Sequence, residues 1–105
     1  MSFTRVDLAK ASQLIQAGAQ IVDTRDEASF LHAHVKGALS LARVGVNGLL
    51  NHLDQQQPVL VYCYHGMSSQ QVAAYLGQMG FSSVYSMDGG FEHWRVSQPV
   101  VSGNE

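Results

Sequence analysis

The chain has 105 residues, of which 46% are hydrophobic and 13% are charged, and this profile is typical of one globular domain rather than a disordered or fibrous chain. Six Lys and Arg residues against eight Asp and Glu residues give a net charge of −2 with no basic run, so nucleic-acid binding is not expected. The single cysteine excludes an internal disulfide, and no apolar run approaches the ~20 residues that span a bilayer, so we expect no membrane partner and a cytoplasmic location.

The first half of the chain predicts helices and short strands in alternation. Asp7 is a suitable N-cap for a helix that ends near Gly18. The elements expected after it are a buried strand at 21–23, a short helix capped by Asp26, a turn and short strand at 37–41, and a helix over about 46–53.

The second half continues the alternation. The expected elements are a strand at 59–62, a helix from about Ser68 to Met79 that stops at Gly80, a strand at 83–86, a turn at 88–90 and a short helix at 91–95. The polar tail at 98–105 is expected to be loose.

Strands that alternate with helices indicate an α/β domain with a mainly parallel sheet and helices on both faces, and we expect a single domain over residues 1–105. In such sheets the ligand site lies at the carboxyl ends of the strands, where Asp23 and Cys63 both fall. Asp23 is expected to brace the neighbouring backbone together with Arg25 rather than to act in catalysis.

Cys63 is the only cysteine of the chain, and it lies between a predicted strand and a predicted helix. Free backbone N–H groups and the positive end of the helix dipole favour the thiolate at such a position. The thiolate is the nucleophilic form of sulfur. The placement therefore predicts that Cys63 is a catalytic nucleophile.

Four segments, in order, resemble the rhodanese homology domain, the fold of the thiosulfate sulfurtransferases. Residues 21–25 are similar to the family's strand ending in Asp-x-Arg, and residues 61–68 to its active-site loop. Residues 30–41 are similar to its His-aliphatic-Pro-Gly-Ala element, with Lys36 in place of Pro, and residues 87–94 to its Gly-Gly-x-x-x-Trp element. The resemblance covers roughly residues 3 to 97 and is greatest to the family's short, single-domain bacterial members.

This resemblance implies a five-stranded parallel sheet between helices and an enzyme that takes sulfane sulfur from thiosulfate. The acceptor would be cyanide or a thiol such as that of thioredoxin. Cys63 would carry the sulfur as a persulfide, and the two half-reactions would give ping-pong kinetics. No metal or organic cofactor is expected, because sulfur itself is the carried group.

Residues 64–69 are expected to bind the anionic persulfide. Their backbone N–H groups would form a cup around the sulfur, and Gly66 would take a positive φ to bring them close. Ser68 and Ser69 either donate hydroxyl hydrogen bonds to the sulfur or cap the following helix.

The remaining loop side chains have less defined roles. His65 either tunes the thiolate or faces solvent. Tyr64 and Met67 are neutral, although many members of the family carry cations at these positions. We therefore expect anion binding to depend on backbone dipoles and thiosulfate affinity to be weak.

Three alternatives to this enzyme remain. A persulfide carrier that delivers sulfur to a protein partner would use the same cysteine. A cysteine phosphatase needs an Arg six residues after the Cys to clamp phosphate, and that position holds Ser69. A catalytically inactive binding module has no need of a nucleophile.

Overall fold

The structure is a computed structural model that describes residues 2–105. Strands and helices alternate along the chain. In order they are β1 (Thr4–Val6), α1 (Leu8–Gln16), β2 (Gln20–Asp23), α2 (Glu27–His32), β3 (Leu39–Ser40), α3 (Leu41–His52), β4 (Val59–Tyr62), α4 (Ser68–Gln78), β5 (Val84–Met87) and α5 (Gly90–Trp94).

The strands form one sheet in the order β1-β5-β4-β2-β3, and every pairing is parallel. This confirms the predicted α/β class and the five-stranded sheet. The sequence pattern did not indicate β1, because Thr4 and Arg5 are exposed and only Val6 is buried. A three-residue edge strand with one buried side chain has no apolar run to detect.

The sheet separates two hydrophobic clusters, and β4 shows how its residues divide between them. Leu60 and Tyr62 point to the face covered by α1 and α5, and Val59 and Val61 to the face covered by α3 and α4. All four side chains are 0% exposed, as expected for a central parallel strand buried on both faces. The carboxyl end of β4, where Cys63 follows, is therefore held from both sides.

Side-chain caps begin the first three helices. Asp7 accepts from the Lys10 amide and Asp26 from the Ser29 amide, as predicted. Helix α3 begins several residues before the predicted start because Ser40 caps it. Gly45 has φ 73° and marks a kink within α3.

The C-terminal segment is not the loose tail predicted for 98–105. His34 and Val101 exchange two backbone hydrogen bonds of 2.9 Å, and the Gly103 amide donates to Leu31 O over 2.8 Å. The indole of Trp94 donates to Pro99 O over 3.0 Å. Polar composition suggested mobility, but the backbone of this segment finds partners on α2, on α5 and at His34, which follows α2. None of the helices in residues 2–105 has the length and hydropathy to cross a bilayer.

Candidate active site

Cys63 directly follows β4 at the carboxyl edge of the sheet, and α4 begins after a short loop. The residue is only 2% exposed. Its sulfur therefore lies at the base of the loop, facing the first turn of α4, where backbone N–H groups lack helical partners. This is the position that the sequence predicted.

Two groups of the loop contact the sulfur directly. The Gly66 amide donates to Cys63 Sγ over 3.2 Å, and Ser69 Oγ lies 3.3 Å from the same atom. Burial raises the pKa of the Cys63 thiol, but hydrogen bonds from the Ser68 and Ser69 hydroxyls and from the Ser69 and Gly66 amides lower it, and the resulting pKa is about 7. A substantial fraction of the sulfur is thus thiolate near neutral pH.

Gly66 has φ 92°, the positive value predicted from the sequence. A Cβ at this position would lie 2.9 Å from Gly89 N and 3.1 Å from Met87 O. Both the backbone conformation and the close packing against the turn after β5 therefore require glycine. The Gln70 side chain donates to Gly66 O over 2.8 Å and fastens the same residue from α4.

Ser69 is the serine whose hydroxyl lies 3.3 Å from the sulfur. It is 0% exposed, and its hydroxyl also lies 2.9 Å from the hydroxyl of Ser86 on β5. The N-cap of α4 is Met67, which makes no side-chain cap hydrogen bond. Of the two roles open for this serine, the geometry favours sulfur binding over helix capping. Ser68 is exposed at the first position of α4.

The other loop side chains face outward. The Tyr64 hydroxyl hydrogen-bonds to the Asp26 carboxylate and to Ser29 Oγ, and this contact with Tyr64 lowers the pKa of Asp26 to about 2. Met67 is 75% exposed and His65 is exposed. Within residues 2–105, the hydrogen bonds to Sγ come from amides and hydroxyls, not from a cationic side chain.

A buried ion pair supports the site at the end of β2. Asp23 accepts from Nη2 of Arg25 over 2.8 Å and from the Arg25 amide over 2.8 Å. The guanidinium also donates to Ala33 O over 2.7 Å and lies 4.0 Å from the centre of the Phe91 ring. The bracing role predicted for this pair agrees with these contacts.

A cavity of about 600 Å³ opens beside the loop. Tyr64 and Arg25 line it, but Cys63 does not. The groups that can hold a charge on the sulfur therefore belong to the loop and α4 rather than to this cavity. Within residues 2–105, no three His, Cys, Asp or Glu side chains are grouped to hold a metal ion.

Sequence reasoning missed two contributors to the site. The amides of Phe91 and Glu92 in α5 hold the carbonyls of Cys63 and Tyr64, and the only signal was the Gly-Gly turn before them. The second is Ser86. A serine inside a predicted buried strand needs a hydrogen-bond partner, and this could have drawn attention to it.

Comparison with known proteins gives a consistent result. Residues 7–97 match the family described as the rhodanese-like domain. The chain is 45% identical over 105 residues to the thiosulfate sulfurtransferase GlpE of Ectopseudomonas mendocina, covering 98% of this chain and 96% of that protein. It is 44% identical over 104 residues to the protein of the same name from Pseudomonas fluorescens, covering 97% and 95%.

A solved structure, the Alr3790 protein from Anabaena sp., superposes with a TM-score of 0.82 at 21% identity, covering 94% of this chain and 81% of that one. At this identity the likeness shows the fold alone. The family resemblance seen in the four sequence segments is confirmed.

Proposed function

The chain belongs to the rhodanese-like domain family, and from this premise we propose that it is a thiosulfate sulfurtransferase that works through a persulfide on Cys63. The near full-length identity to curated thiosulfate sulfurtransferases supports the activity. The single observation that carries the role of Cys63 is its sulfur at the base of the loop, hydrogen-bonded by the Gly66 amide.

In the first half-reaction the Cys63 thiolate attacks the outer sulfur of thiosulfate. A bond forms between the two sulfurs, the S–S bond of thiosulfate breaks, and its electron pair leaves with sulfite. The enzyme retains Cys–S–S⁻, so the total charge of −3 is the same before and after. The thiol proton has already gone to solvent, which a pKa of about 7 allows near neutral pH.

In the second half-reaction an acceptor nucleophile attacks the outer sulfur of the persulfide. The electron pair of that S–S bond returns to Cys63 Sγ and regenerates the thiolate. Cyanide would leave as thiocyanate, and a small thiolate or the thiolate of thioredoxin would leave as a persulfide. We propose these as acceptors, and we propose that the reaction takes place in the cytoplasm, where thiols stay reduced.

The loop 64–69 would stabilise the anionic sulfur by oriented dipoles. Gly66 supplies an amide and Ser69 an amide and a hydroxyl, and Ser68 adds a second hydroxyl at the start of α4. These groups are already positioned, so little reorganisation is needed when charge develops. Tyr64, His65 and Met67 form the exposed rim that an acceptor would meet.

A persulfide carrier for a protein partner is the second candidate. The observation that favours it is the exposed apolar side chain of Met67 beside the thiol, because such groups commonly contact proteins. Comparing the specificity constants of cyanide, small dithiols, thioredoxin and candidate proteins separates the two functions. A protein acceptor preferred by orders of magnitude would identify a carrier.

A phosphatase reading has less support. Ser69 occupies the position of the phosphate-clamping Arg and directs its hydroxyl to the sulfur instead. Turnover of an aryl phosphate by the pure protein would contradict this argument and identify a phosphatase.

Intact mass spectrometry after incubation with thiosulfate tests the proposal. We expect a gain of one sulfur atom, removed by cyanide, in the wild-type protein and not in Cys63→Ser. The variant should remain folded, because serine has nearly the size of cysteine. It should not take up sulfur, because its oxygen is a poor sulfur acceptor. Thiocyanate formation near the wild-type level in Cys63→Ser would refute Cys63 as the nucleophile.

A further inference from the structure

A buried hydroxyl reaches the sulfur site from the sheet. Ser86 lies on β5 and is 0% exposed. Its Oγ is 2.9 Å from Ser69 Oγ, which in turn is 3.3 Å from Cys63 Sγ. These three side chains form a hydrogen-bonded chain from the sheet interior to the thiol.

The direction of this chain depends on the charge of the sulfur, because each hydroxyl has one proton to donate. When Cys63 is a thiol, it donates to Ser69, which can donate to Ser86. When Cys63 is a thiolate, Ser69 must donate to the sulfur. Ser86 can then donate to Ser69, its only side-chain hydrogen-bond partner within residues 2–105.

We propose that Ser86 is a positioning residue for the sulfur chemistry, whose hydroxyl donates to Ser69 Oγ and thereby directs and polarises the Ser69 hydroxyl toward the Cys63 thiolate. This inference rests on the proposed role of Cys63. A hydroxyl that accepts one hydrogen bond donates a stronger one, by roughly 10–30% in a low-dielectric interior, so the bond from Ser69 to the sulfur is strengthened when Ser86 donates to Ser69. This donation also satisfies the buried Ser69 oxygen once that hydroxyl has turned to the sulfur.

The hydrogen-bonded chain from Ser86 through Ser69 to Cys63 acts at two points of the reaction. Cys63 Sγ carries the negative charge before it attacks thiosulfate, and it receives an electron pair again when the acceptor removes the outer sulfur. Between these points the charge is on the outer sulfur. Ser86 therefore lowers the energy of the attacking thiolate and of the leaving thiolate, so its loss affects both half-reactions.

The pH dependence of Cys63 alkylation by iodoacetamide tests the inference directly. We expect Ser86→Ala to raise the apparent pKa of Cys63 by roughly 0.5. Ser86→Thr keeps the hydroxyl and should keep the pKa. Ser83→Ala is the matched control, because Ser83 directly precedes β5 but has no side-chain hydrogen bond to the site, and it should leave the pKa unchanged.

A double-mutant cycle distinguishes positioning from a general structural effect. Because Ser86 acts through Ser69, Ser86→Ala should cause no further rise in pKa in a Ser69→Ala background. An unchanged pKa in Ser86→Ala, or an equal rise in both backgrounds, would overturn the inference. Should Ser86→Ala be too unstable for the assay, it is compared with the wild type in sucrose, which stabilises the folded state without replacing the hydroxyl.

The alkylation assay needs no sulfur transfer, so its outcome is independent of the proposed function. A wild-type protein that gains no sulfur from thiosulfate would refute the persulfide route whatever the pKa values are. A wild-type protein that forms the persulfide while Ser86→Ala keeps the wild-type pKa would refute the role of Ser86 alone.

Discussion

The main-chain N–H of Phe91 donates to the carbonyl of Cys63 over 2.8 Å, so the first turn of α5 fastens the residue that carries the thiol. The Glu92 amide holds the Tyr64 carbonyl in the same way over 3.1 Å. The close approach of the two backbones depends on Gly90, where a Cβ would lie 2.6 Å from the oxygens of Cys63 and Tyr64. The Gly-Gly turn therefore helps to position the loop of the candidate active site.

Gly90→Ala is expected to damage the loop. The new Cβ would push α5 away from Cys63, and the residue would hold a φ of +60° that alanine disfavours. We expect the free energy of unfolding to fall by about 2–4 kcal/mol. The rate of sulfur transfer should fall by up to about 100-fold, because a displacement of the reacting atoms by ~1 Å has an effect of that size. Urea denaturation measures the free energy of unfolding, and thiocyanate formation measures the rate of sulfur transfer.

Gly18→Ala is the matched control for this variant. Gly18 has φ +95° but nothing within 4 Å of its added Cβ, so only the backbone strain of about 1–2 kcal/mol applies. Its activity should equal that of the wild type. An equal loss of activity in the two variants would show that destabilisation, and not the position of the loop, causes the effect.

The depressed thiol pKa predicts the pH dependence of the first half-reaction. The rate of Cys63 alkylation, and the rate of sulfite release from thiosulfate, should be half-maximal near pH 7. Below that pH both should fall by about tenfold per pH unit, because only the thiolate reacts. Ser69→Ala should move the midpoint to higher pH. A midpoint at the ordinary thiol value of 9.0 would contradict stabilisation by the loop.

The same pKa difference links the stability of the protein to pH. Cys63 has a lower pKa in the folded than in the unfolded protein, so its contribution to stability is complete above the unfolded value of 9.0 and is lost as the pH falls through about 7. The stability of the wild type relative to Cys63→Ala should therefore rise with pH across this window. Denaturant unfolding of both proteins at several pH values measures it. A flat difference would mean that the two pKa values are equal.

The sequence predicted the features that follow local rules, and it missed those that depend on contacts between distant segments. The caps at Asp7 and Asp26, the buried β4 strand and the positive φ of Gly66 follow from residue type and short-range pattern. Edge strand β1 and the paired C-terminal segment exist because a distant backbone provides hydrogen-bond partners. Such partners leave no periodic signal in the segment itself.

The candidate site divides in the same way. The position of Cys63 and the loop residues could be predicted from strand, glycine and helix signals in one continuous segment. The hydroxyl of Ser86 and the amides of α5 reach the site only because β5 pairs with β4. Predicting them requires the order of the strands and not only their existence.

Salt should have little effect on the binding of thiosulfate. The loop has the neutral Tyr64 and Met67 at the rim, and the hydrogen bonds to Sγ come from uncharged groups. Oriented dipoles at contact distance are screened little, so we expect the KM for thiosulfate to change by less than about threefold between low salt and ~1 M salt. Two salts with different anions separate screening from competition. A steep rise in KM with both salts would show that Arg25 or Arg95 of the neighbouring cavity attracts the substrate.

Asp23→Asn is expected to destabilise the protein strongly. The side chains of Asp23 and Arg25 are 0% and 4% exposed, so the substitution leaves a guanidinium without its counter-charge in the interior. Removing one partner of a buried pair costs about 3–5 kcal/mol.

Asp88→Asn is the matched control, since its partner Arg5 is more than half exposed and a surface pair contributes less than about 1 kcal/mol. Urea denaturation compares them. If both variants lost equally little stability, the contacts of Arg25 with Ala33 O and the Phe91 ring would be sufficient to hold the guanidinium, and the bracing role of Asp23 would be refuted.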